Sequence, residues 1–281
     1  FLEACGTCLI NSHVASADAF LYTLGENPIE RPYVVTLHGS YVAFEDVPQA
    51  LIDWIIQNVS SWIYTADQNL VFFEDHKVDW DVFTKLPNAM PHDQRPAPMT
   101  RRDLGIPEGD TVFTLVARGI KRKGWRAAVE AFRALRDTHG QRETHLLLIG
   151  EGEQTETARR LAENLPNVHF LVYQSAINGV LRLTDCLILP SRFEGESYPL
   201  CLIQAIQEHV PAIATDIGEI RSMMSDDDGQ FSGILLKNQR DSRAHFTALA
   251  SAMVEMCDPT VRSHFAALAK KRARIYDMRA L

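Results

Sequence analysis

Basic residues are the scarcer charge in this chain: 28 Lys and Arg stand against 36 Asp and Glu, a net charge of −8 at pH 7. That balance argues against nucleic acid as a partner. Long apolar runs are missing too, none approaching the ~18 residues of a membrane span. Cysteine is sparse and odd in number, five in all, which fits a reducing compartment without a disulfide framework. Cys5 and Cys8 form a CxxC, but no second pair and no paired histidines follow at zinc spacing. The motif also leads into "CLI" rather than opening a helix, so neither metal nor redox chemistry is expected of it. Cys186, Cys201 and Cys257 sit among apolar neighbours and read as core filler. Internal repeats and low-complexity segments are absent. The chain opens on Phe1 rather than Met, and no basic stretch precedes an apolar one there, so no signal peptide is expected.

What is present is ordinary globular composition, 46% hydrophobic and 23% charged over 281 residues, enough for one large domain or two smaller ones. The clearest break is "KLPNAMPHDQRPAPMTRRDLGIPEGD", where Pro87, Pro91, Pro96 and Pro98 crowd together and exclude regular structure. It reads as an interdomain linker between an N-terminal domain, residues 1–95, and a C-terminal domain, residues 96–281. Before it, strands are expected in "ACGTCLINSH", "PYVVTLHG" and "SSWIYTA", with helices around 17–24 and 48–59. After it, apolar strands "TVFTLVA", "HLLLIG", "VHFLV", "CLILP" and "PAIAT" alternate with helical patterns, and two helices close the chain. Strands that are apolar throughout, alternating with helices, predict an α/β fold with a doubly wound, Rossmann-like parallel sheet in each half. Ligands in such sheets bind beyond the carboxyl ends of the strands, and two such domains would face each other across a cleft.

Three segments at those strand ends carry chemistry. In "VARGIKRKGW", Arg118 follows a strand and Lys123 and Gly124 open the next helix. A planar fork, a point charge and unpaired helix N–H groups together suit a diphosphate, although a basic solvated loop would read the same way. In "IGEGE", Gly150 and Gly152 permit close backbone approach to a ligand or simply make a turn. In "SRFEGESYPLCLIQAIQE", Glu196 precedes a helix whose first position suits Pro199, and Leu200, Ile203 and Ile206 are expected to face the core. Gln204 lies one turn further along, beside a helix start where the N–H groups of residues 197–200 could hold an anion. Glu196 and Gln204 either share a ligand or stand on a wet face. His38 in "TLHGS" and His13 after the first strand occupy equivalent strand-end positions. "SDDDG" at 225–229 reads as a solvated turn.

Together these segments resemble the retaining glycosyltransferases of family 4, with the GT-B architecture. "LPSRFEGESYPLCLIQAIQEHVPAIATDIGEIRSM" occupies the place of that family's E-x7-E signature and the "GxPVIATDxGG" stretch after it. The register puts Glu196 on the first Glu and Gln204 on the second; starting from Glu194 would put Leu202 in the second place, which is chemically empty. "VARGIKRKG" is similar to the "GRL…KG" diphosphate clamp, "LLLIGEGE" to "LvivGdGp", "LPNAM" to "iPNGV", and "TLHG" to the strand-end histidine near the transferred sugar.

The resemblance implies a metal-independent retaining hexosyltransferase that needs no cofactor and takes a nucleoside diphosphate sugar, such as a UDP-sugar, as donor substrate. Arg118, Lys123, Glu196 and His38 would be catalytic, and Gly150, Gly152, Ser197, Tyr198, Pro199, Leu200 and Gln204 would bind the donor. The acceptor would be a glycan or lipid-linked hydroxyl in polysaccharide or glycolipid synthesis, with no nucleic acid involved. A cytoplasmic location follows, at the inner face of the membrane, with peripheral membrane contact through segments not in this chain. Two departures stand out. The second Glu is amidated at Gln204, which keeps a ribose contact in altered form at a cost of about 1–3 kcal/mol at most. The family's front part, with its Gly-rich acceptor loop, has no counterpart here, so the first domain is expected to be truncated. A GT-B epimerase or phosphorylase, or a non-catalytic nucleotide-sugar-binding or scaffold module, are the alternatives.

Overall fold

Buried side chains alternate along the segment Tyr33–Leu37: Tyr33, Val35 and Leu37 are inside, while Val34 and Thr36 are half-buried. A period of two marks a strand with one face on a core. In the computed structural model, which describes residues 9–24, 31–39, 48–193, 196–239 and 241–278, it is β2 of a parallel sheet. The order is β1 (Ile10–Ser12), β2, β3 (Ser61–Tyr64), β4 (Phe83–Lys85). Helices α1 (Ala15–Thr23) and α2 (Gln49–Asn58) accompany it, and Trp54, Ile55, Trp62 and Phe73 fill the core. At its base the Tyr33 hydroxyl donates to the buried Asp18 carboxylate. Burial first, then that carboxylate, pushes the phenol well above its ordinary value. Cys5, Cys8 and Glu194 lie outside the described residues.

The second sheet has six parallel strands: β5 (Thr111–Val116), β6 (Thr144–Ile149), β7 (Val168–Leu171), β8 (Cys186–Leu189), β9 (Ala212–Thr215) and β10 (Gly233–Leu236). Their order is β10-β9-β8-β5-β6-β7. This is the doubly wound Rossmann order, with its switch point between β5 and β8. The unbroken apolar runs of β6, β8 and β9 are buried along their whole length, as a sheet covered on both faces requires. Helices α3 (Trp125–Asp137), α4 (Thr155–Leu161), α5 (Ile177–Leu181), α6 (Leu200–Gln207), α7 (Ile220–Met224), α8 (Ser242–Glu255) and α9 (Pro259–Arg272) belong to this sheet's unit. Trp125, Ala128, Phe132 and Leu135 form the buried face of α3, as their spacing predicts. The strands β4 and β10 and the short helix α7 are additions to the sequence reading.

The chain divides into two units, Phe1–Asn88 with Glu194–Tyr198, and Ala89–Phe193 with Pro199–Leu281. Much of the proline-rich segment therefore packs within the second unit. Gly179 of α5 lies directly against the backbone of Arg95, Pro96 and Ala97, and Arg101 pairs with Asp185 at 2.7 Å. Met90 bridges to Asp277, near the end of the described chain. One expectation is corrected: Ile203 and Ile206 are buried, but Leu200 is 47% exposed. As the first residue of α6 it stands at the helix end, beyond the apolar layer that covers the next turns.

Helix α6 stops in a Schellman turn, with Val210 N–H on the Ala205 carbonyl (2.8 Å) and His209 N–H on that of Ile206 (3.0 Å). The turn needs a left-handed residue, and His209 supplies it at φ 59°, alone in that region among the described non-glycine residues. A side chain there costs roughly 1–2 kcal/mol, while glycine would cost part of that in unfolded-state entropy. His209→Gly is therefore expected to stabilise the second unit by about 0.5–1 kcal/mol in urea unfolding.

His245 in α8 is fully buried and neither ring nitrogen makes a hydrogen bond. Burial lowers its pKa below the ordinary 6.5, outweighing the opposite effect of the Pro190 carbonyl. A lowered folded pKa means that the unfolded chain takes up the proton first, so the stability tied to neutral His245 is present above pH 6.5 and lost as pH falls below it. His245→Leu should raise stability by roughly 1–3 kcal/mol and flatten the decline between pH 6.5 and 5. Melting curves across that range test both; an unchanged slope would remove His245 from the account.

Candidate functional site

At the switch point the loops after β5 and β8 are locked together. The Arg122 carbonyl accepts the Arg192 N–H at 2.7 Å and the Ser191 hydroxyl at 3.4 Å. Gly124, the N-cap of α3 at φ 83°, lies so close to the Pro190 carbonyl that an added Cβ would sit 2.5 Å from it. The basic segment 118–123 is thereby held at the carboxyl edge, where a sheet of this topology binds its ligands. Lys121–Lys123 form a 3-10 turn. Arg118 is exposed and enters no side-chain hydrogen bond or ion pair among the described residues. The Lys123 ammonium stands 5.1 Å from the centre of the Phe193 ring, a cation–π distance.

Gly150 and Gly152 serve this same edge from β6. The Gly119 N–H donates to the Glu151 carbonyl at 2.7 Å, and Gln154 N–H returns to the Gly119 carbonyl at 2.7 Å. Any Cβ at Gly150 would meet the Ala117 carbonyl at 2.2 Å, and one at Gly152 the Gly119 carbonyl at 2.6 Å. These glycines are expected to admit a ligand or to make a turn; in the fold they let one loop backbone approach another.

In the first unit, residues 196–198 join the strand ends. The Ser197 hydroxyl donates to the His38 carbonyl at 2.7 Å, and Gln68 donates to the Glu196 carbonyl at 2.8 Å. Asn88 donates to the Tyr198 carbonyl at 3.2 Å. Glu196 is 6% exposed and Ser197 3%, so Glu196 is no solvated loop carboxylate. His38 follows β2 and His13 follows β1, the neighbouring parallel strand, so the topology brings the two rings together. They stack at 5.2 Å, with His13 Nδ1 2.9 Å from His38 Nε2. One of those nitrogens must be an unprotonated acceptor. Partial burial, then the charge of His13, lowers the His38 pKa.

Pro199 is the N-cap of α6, and Gln204 stands half-buried in its second turn. Gln204 Nε2 donates to Asn178 Oδ1 at 3.3 Å, and Asn178 Nδ2 to Gln207 Oε1 at 3.3 Å. Gln204 and Asn178 line a cavity of about 530 Å³ together with Met90, Arg95 and Ser175. Asn178 and Gln207 escaped the sequence reading, because an amide in a helix has no diagnostic spacing until its packing partner is known. "SDDDG" is the turn foreseen, with Asp226 accepting from the N–H groups of Asp228 and Gln230. Among the described residues no cluster of three His, Cys, Asp or Glu could hold a metal ion. No described helix is long and apolar enough to cross a membrane.

Two parallel-sheet Rossmann-like units of this kind define the GT-B class, and solved structures agree. Sucrose-phosphate synthase from Thermosynechococcus elongatus superposes with a TM-score of 0.71 at 18% identity, over 97% of this chain and 70% of that one. Anabaena Alr3699/HepE in complex with UDP and glucose does so with a TM-score of 0.67 at 16% identity, over 88% and 68%. By sequence, the chain belongs to the family described as "Glycosyl transferases group 1", which matches residues 97–263. N-acetyl-alpha-D-glucosaminyl L-malate synthase of Bacillus anthracis is 26% identical over 231 residues, 78% of this chain and 59% of the relative. The chain spans less than three-fifths of the length of the curated relatives it matches.

The stacked histidines make a prediction of their own. Replacing His13 by Ala removes a cation that competes with protonation of His38, so the His38 pKa should rise toward its ordinary value. A ¹H–¹⁵N imidazole titration of both proteins measures it, and an unshifted His38 would show the rings to be uncoupled.

Proposed function

We propose that the chain forms the donor-binding part of a retaining glycosyltransferase that uses a nucleoside diphosphate sugar. The observation that carries this reading is the closed switch point, which holds the 118–123 basic segment against the loop after β8. Arg118 and Lys123 bind the diphosphate, the first as a planar fork and the second as a point charge. Gln204 accepts a hydrogen bond from a ribose hydroxyl, and Glu196 supports the transferred sugar near His38. The acceptor hydroxyl attacks the anomeric carbon on the face that the diphosphate leaves. The bond from that carbon to the diphosphate oxygen breaks as the new one forms, and the acceptor proton passes to the departing diphosphate. Arg118 and Lys123 stabilise the negative charge that builds there, and a charge present mainly in the transition state gives the largest rate gain. The relative's name and the UDP- and glucose-bound neighbour support a sugar-nucleotide donor, with UDP as the first base to try. A glycan or lipid-linked hydroxyl is the acceptor class proposed.

Calorimetric titration with UDP, GDP and their sugars tests this. One nucleotide should bind at micromolar level. Arg118→Ala should weaken both nucleotide and nucleotide sugar about 10–100-fold, the loss of a charge-assisted pair. Glu196→Ala should weaken only the sugar-bearing form. Absence of binding by every nucleotide would leave a scaffold role in place of the transferase.

A further inference from the structure

The amides of Gln204, Asn178 and Gln207 form a one-way relay, and its direction is set at the Gln207 end. Gln207 Nε2 lies 2.8 Å from the Met90 carbonyl and 3.2 Å from the Tyr276 carbonyl. Carbonyls only accept, so that atom of Gln207 must be its nitrogen. Its oxygen then faces Asn178 at 3.3 Å, and the facing atom must be a donor, Nδ2. Asn178 consequently turns its oxygen to Gln204 at 3.3 Å, which must answer with Nε2. Each amide has one allowed orientation, and the last oxygen in line, Gln204 Oε1, has no protein partner among the described residues. Gln207 and Asn178 are 4% and 1% exposed, so water cannot easily substitute for a lost partner.

We infer that this relay makes residue 204 a neutral single acceptor aimed at a hydroxyl of the bound nucleotide, and that Asn178 is the positioning residue that prevents a carboxylate from serving there. The ligand half of this rests on the nucleotide-sugar reading; the relay itself does not. A glutamate at 204 would set a carboxylate against Asn178 Oδ1, two acceptors with no proton between them. Rotating the Asn178 amide would only move the clash to Gln207 Oε1, and Gln207 is pinned by two carbonyls. Amidation at 204 is then the form this helix packing demands, and restoring the acid alone should fail.

The test is a double-mutant cycle of Gln204→Glu and Asn178→Ala, read by thermal unfolding and by calorimetry with UDP and GDP. In the native background Gln204→Glu should lower the melting temperature by about 2–4 °C and bring no gain in UDP affinity. In the Asn178→Ala background the same change should cost no further melting temperature. There it should tighten UDP about fivefold or more, because a charged acceptor makes the stronger bond. Equal effects of Gln204→Glu in both backgrounds, on melting as well as affinity, overturn the relay. Coupled melting with no binding of UDP or GDP by any variant keeps the relay and overturns its ligand half together with the nucleotide reading. Coupled melting with identical affinity changes in both backgrounds overturns the positioning role of Asn178 alone.

Discussion

One backbone carbonyl holds the working edge of the second unit together. Arg122 lends its oxygen to the loop after β8, and that contact closes the gap where the winding of the sheet reverses. A hydrogen bond of this kind contributes only about 0.5–1.5 kcal/mol. Its consequence is geometric: with Gly124 against Pro190, and Gly119 interlocked with Gly150 and Gly152, the loops after β5, β6 and β8 become one continuous surface. Bulk is excluded at each crossing. Arg118 stands exposed beside them.

The amino edge and the loops around Arg118 treat charge differently. At the amino edge, Arg101 pairs with Asp185, which also accepts the Val112 N–H at 2.8 Å, and the His145 ring hydrogen-bonds Asp110 at 3.0 Å. These contacts pin the starts of β5, β6 and β8. At the carboxyl edge the loops are joined mainly through backbone groups, and Arg118 stays outside the internal network. Arg118 can therefore meet an anion without first breaking a side-chain pair among the described residues. The overall charge of −8 conceals this local arrangement.

What could be read from sequence follows the same physics. The runs in β5, β6, β8 and β9 were legible because a strand buried on both faces must be apolar throughout, and α3 because four large or small apolar residues fall on one stripe. The three residues of β4 and the half-exposed "GILL" of β10 give no such signal. Leu200 misled because periodicity says which side of a helix a residue occupies, not whether a core extends to the helix end. Arg118, Lys123 and Glu196 stand out in the sequence as motif positions, and the glycines of "IGEGE" as a ligand approach or a turn, whose packing needed the neighbouring loop to become visible. Membership of the relay was hidden, since Asn178 and Gln207 meet across 29 residues and Gln207 meets Met90 across 117.

Helix α6 shows how far such hidden partners reach. Gln207 is a buried amide on a mostly apolar helix, and without partners it would cost about 1–3 kcal/mol. Its partners are carbonyls already in use: Met90 N–H donates to the Tyr276 carbonyl at 3.2 Å, and Met278 N–H to the Met90 carbonyl at 3.4 Å. Each oxygen has a second lone pair, and Gln207 takes one from each. The bridge between residues 90 and 277 therefore fixes both acceptors in space before the amide meets them. From there the constraint passes through Asn178 to Gln204, so the chemistry available at residue 204 is decided by backbone at residues 90 and 276.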